Sequence, residues 1–208
     1  MFVQSAGDDL ISISVANPRE AQDFALRLRE SQAYLEVVAG LDSVVVQFDI
    51  ASQDRNEMEK QIAEIIAQPG STRAAAQPVV EIPVCYGGEE GPDLESVCEQ
   101  LELTQEEFIA LHSGHEYQVD LVGFTPGFAY IGGLDKQLNV SRRQEPRVCV
   151  RAGSVGIAGG MTGLYALQGP GGWPLIGRTS FILFDAAADD PFVLVPGSKV
   201  VFVSVAAM

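Results

Sequence analysis

Glycine and arginine are the residues whose spacing in this chain indicates chemistry. Residues 152–179 hold nine of the chain's 21 glycines, interleaved with large residues such as Tyr165 and Trp173. Glycines cluster where a backbone must take positive φ or approach another group closely. The pattern predicts short strands and glycine turns around a ligand surface. The alternative is a set of tight turns at a β-barrel rim without a ligand.

A second stretch, residues 122–134 (VGFTPGFAYIGGL), repeats the combination of glycine and aromatic residues. From residue 136 to residue 178 there are six basic residues and a single acid, Glu145, although the whole chain carries a net charge of −15. Arginine forks beside exposed backbone N–H groups predict a site for a carboxylate or a phosphate. Arg147 and Arg178 are favoured for it, because each is flanked by strand or turn.

Other candidate groups give weaker signals. His112 and His115 are three residues apart, but no third ligand is near, so the sequence predicts no metal site. His115 precedes a strand that leads into the second stretch and is the candidate acid or base, with a structural hydrogen bond as the alternative. Ser154 lies in a glycine-flanked context related to a nucleophile elbow, but an elbow requires a helix after the serine and glycines follow here.

Composition and motifs exclude several classes of function. A net charge of −15 excludes a nucleic-acid partner, and no apolar stretch is long enough to predict a membrane span. No phosphate-binding loop motif occurs, so a nucleotide site within this chain alone is not expected. The three cysteines, at positions 85, 98 and 149, predict reduced core residues of a cytoplasmic protein.

The pattern of elements predicts two domains. Residues 1–78 follow the order βαββα, with helices from Pro18 and from about Asp54, and would be ferredoxin-like if one more strand completes the sheet. The first helix is predicted to place Ala21, Phe24, Ala25 and Leu28 on one apolar face. A linker is predicted at 68–78. Residues 79–208 begin with a strand and two short helices, of which the second is predicted to start at a capping box from Thr104 to Glu107. They continue as short strands between glycine and proline turns, among them one at residues 181–184, which is typical of a β-barrel or sandwich.

Residues 81–120 carry eleven acids and no base. Two short helices lie in this segment, but its charge excludes a helix-turn-helix interaction with DNA. The acidic segment is interpreted as a solvated face, with docking of a basic partner as the alternative.

Long motifs in this chain resemble the KipI / PxpB family, whose PxpB members are the B subunits of 5-oxoprolinase. The family is also called allophanate hydrolase subunit 1, a carboxyltransferase domain of the subdomain C and D type. The motifs are VGFTPGFAYIGGLD, RRQEPR, AGSVGIAGG, GPGGWPLIGRT and VPGSKVVF, with IPVCYGGEEGPDL at residues 82–94. The resemblance covers nearly the whole chain. It implies an α+β fold, with a ferredoxin-like N-terminal α/β sandwich (1–78) followed by a cyclophilin-like β-barrel (79–208).

The resemblance also implies an activity and partners. It implies one subunit of a cytoplasmic, ATP-dependent hydrolase complex that opens 5-oxo-L-proline to L-glutamate, with a PxpC-like barrel subunit and a PxpA-like subunit. ATP, with Mg²⁺, would be used by the assembled complex, and the isolated chain would be inactive. The alternatives are a KipI-like inhibitor of a sensor histidine kinase, or a subunit of an allophanate hydrolase or urea carboxylase type of enzyme.

Roles follow for particular residues. Arg147 and Arg178 would hold the anion, backbone N–H groups from Gly156 to Gly160 would stabilise developing negative charge, and His115 would move protons. The predicted substrate-binding residues are Thr125, Phe128, Tyr130, Ser154, Gly156, Gly159, Gly160, Thr162, Tyr165 and Trp173. The chain departs from the family at Arg151, where a proline is usual, and at Met161, where a glutamine is usual.

Overall fold

The computed structural model describes residues 3–68 and 79–206, and the chain divides into two compact units, Met1–Ala75 and Ala76–Met208. The domain boundary predicted between residues 78 and 79 stays a prediction. The linker predicted at 68–78 lies outside the described residues, except for Gln68. Within residues 3–68 and 79–206, no helix combines the length and apolar character needed to cross a membrane.

The first unit packs two helices against an antiparallel sheet. Its elements are β1 (Val3–Ser5), β2 (Leu10–Ser14), α1 (Pro18–Glu30), β3 (Glu36–Ala39), β4 (Ser43–Gln47) and α2 (Arg55–Ala67). The strand order is β1-β2-β4-β3, and every neighbouring pair is antiparallel. The strand that completes this sheet is β1, which precedes β2 in the chain. In a ferredoxin-like unit the completing strand usually follows the second helix.

Capping explains where α1 begins. The Asn17 side chain accepts from the backbone N–H of Glu20 at 3.0 Å, and the Glu20 carboxylate accepts from the backbone N–H of Ala16 at 2.6 Å. Pro18 stands at the first helical position, where its missing N–H is not needed. The apolar face predicted for this helix is confirmed, since all of its members are buried: Ala21, Phe24, Ala25 and Leu28.

The second unit is a closed seven-stranded barrel with two short helices, and it confirms the predicted α+β fold class. Its strands are β5 (Val79–Tyr86), β6 (Glu116–Val122), β7 (Ala129–Gly132), β8 (Arg147–Val150), β9 (Ser154–Ala158), β10 (Met161–Leu164), β11 (Gly169–Gly171), β12 (Leu175–Arg178) and β13 (Lys199–Ser204). The barrel order is β10-β7-β6-β13-β5-β12-β9, and β8 and β11 form a separate two-stranded sheet. Within the barrel β5 and β13 pair in parallel, whereas the other neighbours pair antiparallel.

The helices α3 (Leu94–Leu101) and α4 (Gln105–Ser113) connect β5 to β6. The capping box predicted at the start of α4 is confirmed, because Thr104 accepts from Glu107 N–H and the Glu107 carboxylate accepts from Thr104 N–H at 2.9 Å. Buried side chains from strands and helices fill the barrel, among them Ile82, Phe108, Ile131, Ile157 and Phe202.

Two expectations about the second unit are wrong. A strand predicted at residues 181–184 is absent from the described structure, where only an isolated bridge links Phe184 to Phe192. Cys149 is exposed, although all three cysteines were expected in the core, while Cys98 is buried. Cys149 lies on the small β8–β11 sheet rather than in the barrel wall, and the adjacent Val150 takes the buried side of this strand.

Candidate functional site

A cavity of about 280 Å³ lies where the two glycine-aromatic stretches meet in the barrel unit. Its lining includes five aromatic side chains, those of Phe124, Phe128, Tyr130, Tyr165 and Trp173. We call this feature the aromatic cavity. Apolar concave surfaces of this kind, with a few polar groups, are the usual form of small-molecule sites.

The walls of the aromatic cavity are held by edge-to-face ring contacts. The Phe128 ring centroid lies 4.7 Å from that of Tyr130, 4.9 Å from that of Tyr165 and 5.9 Å from that of Trp173. Such geometries bring the positive edge of one ring to the negative face of another. Phe128, Tyr165 and Trp173 are buried, so the cavity is formed by a packed cluster.

Two glycines allow these rings to approach the strands. A Cβ atom on Gly163 would lie 2.7 Å from Trp173 Cζ3 and 2.9 Å from Phe128 Cζ, both closer than real Cβ contacts. A Cβ atom on Gly171 would lie 2.5 Å from the Tyr165 hydroxyl oxygen. Close approach of other groups therefore explains part of the glycine enrichment seen in the sequence.

Gly163→Ala is expected to lower the stability of the barrel unit by about 1–3 kcal/mol, because the new methyl group overpacks the ring cluster. Trp173 is the chain's single tryptophan, so its emission spectrum should shift as the ring is displaced. Gly169→Ala is the matched control, since nothing lies within 4 Å of a Cβ atom there. Thermal unfolding followed by tryptophan emission checks both variants, and equal midpoints would contradict the packing argument.

Phe124 forms the outer rim of the aromatic cavity. Its φ is +70°, which a residue with a side chain rarely adopts, and its side chain is 62% exposed. The ring still contacts Phe128, with centroids 5.6 Å apart and planes at 79°. An exposed aromatic held in a left-handed backbone conformation is a feature that clusters at functional sites.

Two arginines beside the aromatic cavity bind one buried carboxylate. Arg143 Nη1 lies 3.0 Å and Arg147 Nη2 lies 2.8 Å from Asp93 Oδ1. The backbone N–H of Leu175 donates to Asp93 Oδ2 at 2.6 Å. The remaining terminal nitrogen of Arg147, Nη1, is buried without a hydrogen-bond partner among the described residues. The anion-binding role predicted for Arg147 stays a prediction.

The electrostatics of Asp93 reflect these partners. Burial on its own raises the pKa of the Asp93 carboxyl, but the hydrogen bonds from Arg147 and Leu175 and the charges of both arginines outweigh it and hold the pKa below its ordinary value. Asp93 directly precedes α3, where an aspartate side chain often caps the helix. Here the Asp93 side chain makes no capping hydrogen bond, because its oxygens accept from the arginines and from Leu175 instead.

A second carboxylate binds two further arginines of residues 136–178, which we call the basic segment. Arg151 Nη2 lies 2.9 Å and Arg178 Nη1 lies 3.0 Å from Glu90 Oε2. Arg178 Nε also donates to the carbonyl oxygen of Ala152 at 3.0 Å. Arg178, favoured in the sequence as an anion ligand, thus has an internal acid partner and does not line the aromatic cavity. Arg151, which replaces a proline usual in the family, takes part in the same pairing.

Arg142 differs from these four arginines. It lines the aromatic cavity, and its Cζ lies 5.9 Å from the centroid of the Trp173 ring. Within residues 3–68 and 79–206 it has no acid partner within ion-pair distance. Sequence reasoning counted Arg142 among the basic residues but did not single it out, although Arg142 is the first residue of the RRQEPR motif.

The candidate acid or base, His115, is half-buried on the surface of the barrel unit. Its Nε2 lies 3.0 Å from the carbonyl oxygen of Gly133, and its ring lies 4.1 Å from that of Tyr117. It is not part of the lining of the aromatic cavity. Its hydrogen bond matches the structural alternative, and its role in proton transfer stays a prediction.

Several other predicted site residues lie in the barrel wall or in a turn between its strands. Ser154 is buried in β9, and Gly156 lies two residues further along the same strand, where a Cβ atom would come within 3.0 Å of Trp173 Cβ. Gly159 and Gly160 take φ values of +58° and +76° in the turn between β9 and β10. The N–H of Gly159 already donates to the carbonyl oxygen of Val140 at 2.9 Å. Their predicted roles toward a ligand stay predictions.

The two predicted threonines have different surroundings. Thr125 is half-buried in the turn before β7, where its carbonyl oxygen accepts from the N–H of Phe128 at 3.0 Å. Thr162 is fully buried, and its hydroxyl lies 3.2 Å from the carbonyl oxygen of Gly156 and 2.8 Å from His112 Nε2. Since the hydroxyl donates to the carbonyl, it accepts from Nε2–H of His112.

His112 is the centre of a buried polar network that sequence reasoning missed. Its Nδ1 lies 2.7 Å from the Tyr86 hydroxyl, and its backbone carbonyl accepts from the Tyr117 hydroxyl at 2.8 Å. The hydrogen bonds fit a neutral imidazole with its proton on Nε2 and Tyr86 as a donor to Nδ1. Complete burial, and secondarily the charge of His115, lower the pKa of His112 to about 3. The network ties α4 to β5 and β10.

Metal ligands do not assemble among the described residues, where no group of three or more histidine, cysteine, aspartate or glutamate side chains could hold an ion. The aromatic cavity offers one unpaired guanidinium, whereas a triphosphate is normally held by several cationic or backbone donors. The residues that line it do not fit ATP, and we derive no step through a nucleotide.

Comparison with known proteins places this chain in a family. The family model "Carboxyltransferase domain, subdomain C and D" matches residues 2–194. A protein of Escherichia coli O157:H7, named as the B subunit of 5-oxoprolinase, is 40% identical over 194 residues, which cover 92% of this chain and 87% of that protein. A Bacillus subtilis (strain 168) protein of the same name is 38% identical over 182 residues, or 83% of this chain and 76% of that protein.

Solved structures agree with this relationship. The crystal structure of TTHA0988 is 31% identical with a TM-score of 0.81, and the match covers 98% of this chain and 41% of that chain. This chain therefore spans less than half the length of TTHA0988. The K. lactis urea amidolyase matches 98% of this chain and 15% of its own at 18% identity and a TM-score of 0.80, which shows the fold alone. The chain belongs to the family of carboxyltransferase domains, subdomain C and D, and the predicted resemblance to the B subunits of 5-oxoprolinase is confirmed.

Proposed function

We propose that this chain is the B subunit of a 5-oxoprolinase, a hydrolase complex that opens the cyclic amide of 5-oxo-L-proline to give L-glutamate. The observation that carries the proposal is identity of about 40% over most of both chains with a protein named as the B subunit of 5-oxoprolinase. The alternative of an allophanate hydrolase or urea carboxylase type of enzyme is less well supported, because the urea amidolyase shares 18% identity.

The complex contains further subunits, for which a PxpC-like barrel subunit and a PxpA-like subunit are the candidates. It uses ATP with Mg²⁺ and acts in the cytoplasm. Phosphorylation of the amide oxygen by ATP supplies a leaving group that the amide otherwise lacks. The nucleotide is assigned to another subunit, because the sequence lacks a phosphate-binding loop and the aromatic cavity does not fit a triphosphate. This chain contributes binding and orientation of the small substrate at the aromatic cavity.

Reconstitution tests the proposal. The chain is purified alone, and with PxpC-like and PxpA-like subunits from the same organism, and ATP hydrolysis and glutamate formation are measured with 5-oxo-L-proline. Turnover is expected only when all three subunits are present, and the chain alone is expected to hydrolyse negligible ATP. The control uses 2-pyrrolidinone, the same ring without the carboxylate.

The outcomes separate the candidates. Turnover by the two other subunits without this chain, or by this chain alone, would remove the proposed role. Co-elution of the subunits without any 5-oxoproline-dependent turnover would also contradict it. Inhibition of a sensor histidine kinase by the purified chain, in the absence of turnover, would instead support the regulatory alternative.

A further inference from the structure

We infer that the aromatic cavity binds a small, flat monocarboxylate, with the ligand's ring against Trp173 and its carboxylate on the guanidinium of Arg142. The inference rests on the proposed function, since it names the class of ligand that this subunit holds. It assigns the anion to an arginine outside the pair favoured by sequence reasoning.

Charge selects Arg142. Four arginines of the basic segment are bound to Glu90 or Asp93 at distances of 2.8–3.0 Å, so their charges are compensated within the chain. Arg142 reaches the same cavity without an acid partner among the described residues. Arg143 also lines the cavity, but one of its terminal nitrogens is committed to Asp93. An uncompensated guanidinium beside apolar walls is a strong, directional receptor for a carboxylate.

Shape and polarity select a flat ligand with one charge. The cavity volume of about 280 Å³ suits a small molecule, and five aromatic side chains contribute to its wall. The Tyr130 hydroxyl has no hydrogen-bond partner in the part of the chain that the structure describes, and it lies on the same wall as Trp173, 5.9 Å away between ring centroids. Arg142 and Tyr130 therefore provide two free donors for one carboxylate or for a carboxylate and an adjacent carbonyl.

The rim residue Phe124 supports the same conclusion. Its left-handed backbone holds an aromatic ring, 62% exposed, at the mouth of the cavity. A left-handed conformation for a bulky residue costs of the order of 1 kcal/mol. In the absence of a ligand the exposed ring gains little burial in return, whereas a bound flat ring would be covered by it from the outer side.

Tryptophan emission tests the inference directly, because the chain's single tryptophan lines the cavity. The full-length chain is titrated with 5-oxo-L-proline, and a saturable change in Trp173 emission is expected. Arg142→Gln should raise Kd by at least about tenfold, through loss of a charge-assisted hydrogen bond. Arg151→Gln is the matched control: it removes the same charge from an exposed arginine bound to Glu90, and Kd should stay within about twofold. Without a carboxylate, 2-pyrrolidinone should bind at least about tenfold more weakly.

Three results would overturn the inference: an unchanged Kd in Arg142→Gln, equal binding of 2-pyrrolidinone, or no saturable binding to either the chain or the assembled complex by equilibrium dialysis. The tests of ligand and of function fail separately. If the complex turns over 5-oxo-L-proline while Arg142→Gln binds it normally, the inference fails and the proposed function stands. If the probe binds through Arg142 but the complex shows no turnover, the proposed function fails and the inference about the ligand stands.

Discussion

Asp93→Ala is expected to destabilise the barrel unit by about 3–5 kcal/mol, the range for breaking a buried ion pair by removing one partner. The carboxylate is 10% exposed and accepts from Arg143, Arg147 and the backbone N–H of Leu175. Its removal leaves two guanidinium groups and one buried N–H without their acceptor. For a unit of this size the melting temperature should fall by roughly 10 °C.

Thermal and urea unfolding followed by Trp173 emission measure this effect, since Trp173 belongs to the barrel unit. Asp93→Asn should lie between the wild type and Asp93→Ala, because it keeps an acceptor oxygen but loses the charge. The control is Glu116→Ala, which removes an exposed ion pair with Lys199 and should change stability by less than about 1 kcal/mol. If Asp93→Ala and Glu116→Ala have the same small effect, the Asp93 cluster does not stabilise the barrel.

The local signals of the first unit were sufficient to predict its helices. Asn17, Pro18 and Glu20 mark the start of α1 within four consecutive residues, and the buried face follows from the helical period. The strands of the barrel were harder to predict from the sequence. Strands β10 and β12 contain glycines where aromatic rings or a neighbouring strand approach closely. They therefore lack the pattern of β-branched residues by which strands are recognised in a sequence.

The basic segment shows why the arginine choice could not be made from sequence. Asp93 lies 50 and 54 positions before its partners Arg143 and Arg147, and Glu90 lies 88 positions before Arg178. No local rule relates residues so far apart, and only the folded chain shows which charges are compensated. The acids of the supposed solvated face thus include two that neutralise the basic segment, which leaves Arg142 as the cation available in the cavity.

The aromatic part of the candidate site was predictable because its residues lie in two short motifs. Phe128, Tyr130, Tyr165 and Trp173 were all selected from the glycine-aromatic stretches, and the structure brings them into one cavity wall. The same stretches also yielded Ser154 and Thr162, which the fold buries in strands. Strand alternation separates neighbours in sequence onto opposite faces, and the glycine content hid that alternation.

Acid is expected to destabilise the barrel unit through His112. The imidazole is fully buried, 4.6 Å from the Phe202 ring between centroids, and its pKa is lowered from an ordinary 6.5 to about 3, chiefly because burial disfavours the charged form. In the unfolded chain the same side chain takes up a proton near pH 6.5. The contribution of the neutral His112 imidazole to the free energy of unfolding is therefore fully present above about pH 6.5. It is lost as the pH falls towards 3, by roughly 1.4 kcal/mol for each pH unit.

Urea unfolding between pH 7.5 and pH 4.5, followed by Trp173 emission, measures this loss, which should reach roughly 2–3 kcal/mol at the lower end. His112→Phe keeps a ring in the cluster and removes the titration. At pH 7.5 it should be less stable by about 1–3 kcal/mol, because the buried Tyr86 hydroxyl loses its acceptor. Its stability should nevertheless decline less with acid than that of the wild type. His115→Gln, at the other histidine of the chain, removes only the smaller cause of the lowered His112 pKa, so its stability should still decline steeply with acid. Acid affects Asp93 in every variant alike, so it cancels in the comparison, and parallel curves for the wild type and His112→Phe would show that the buried imidazole does not control acid stability.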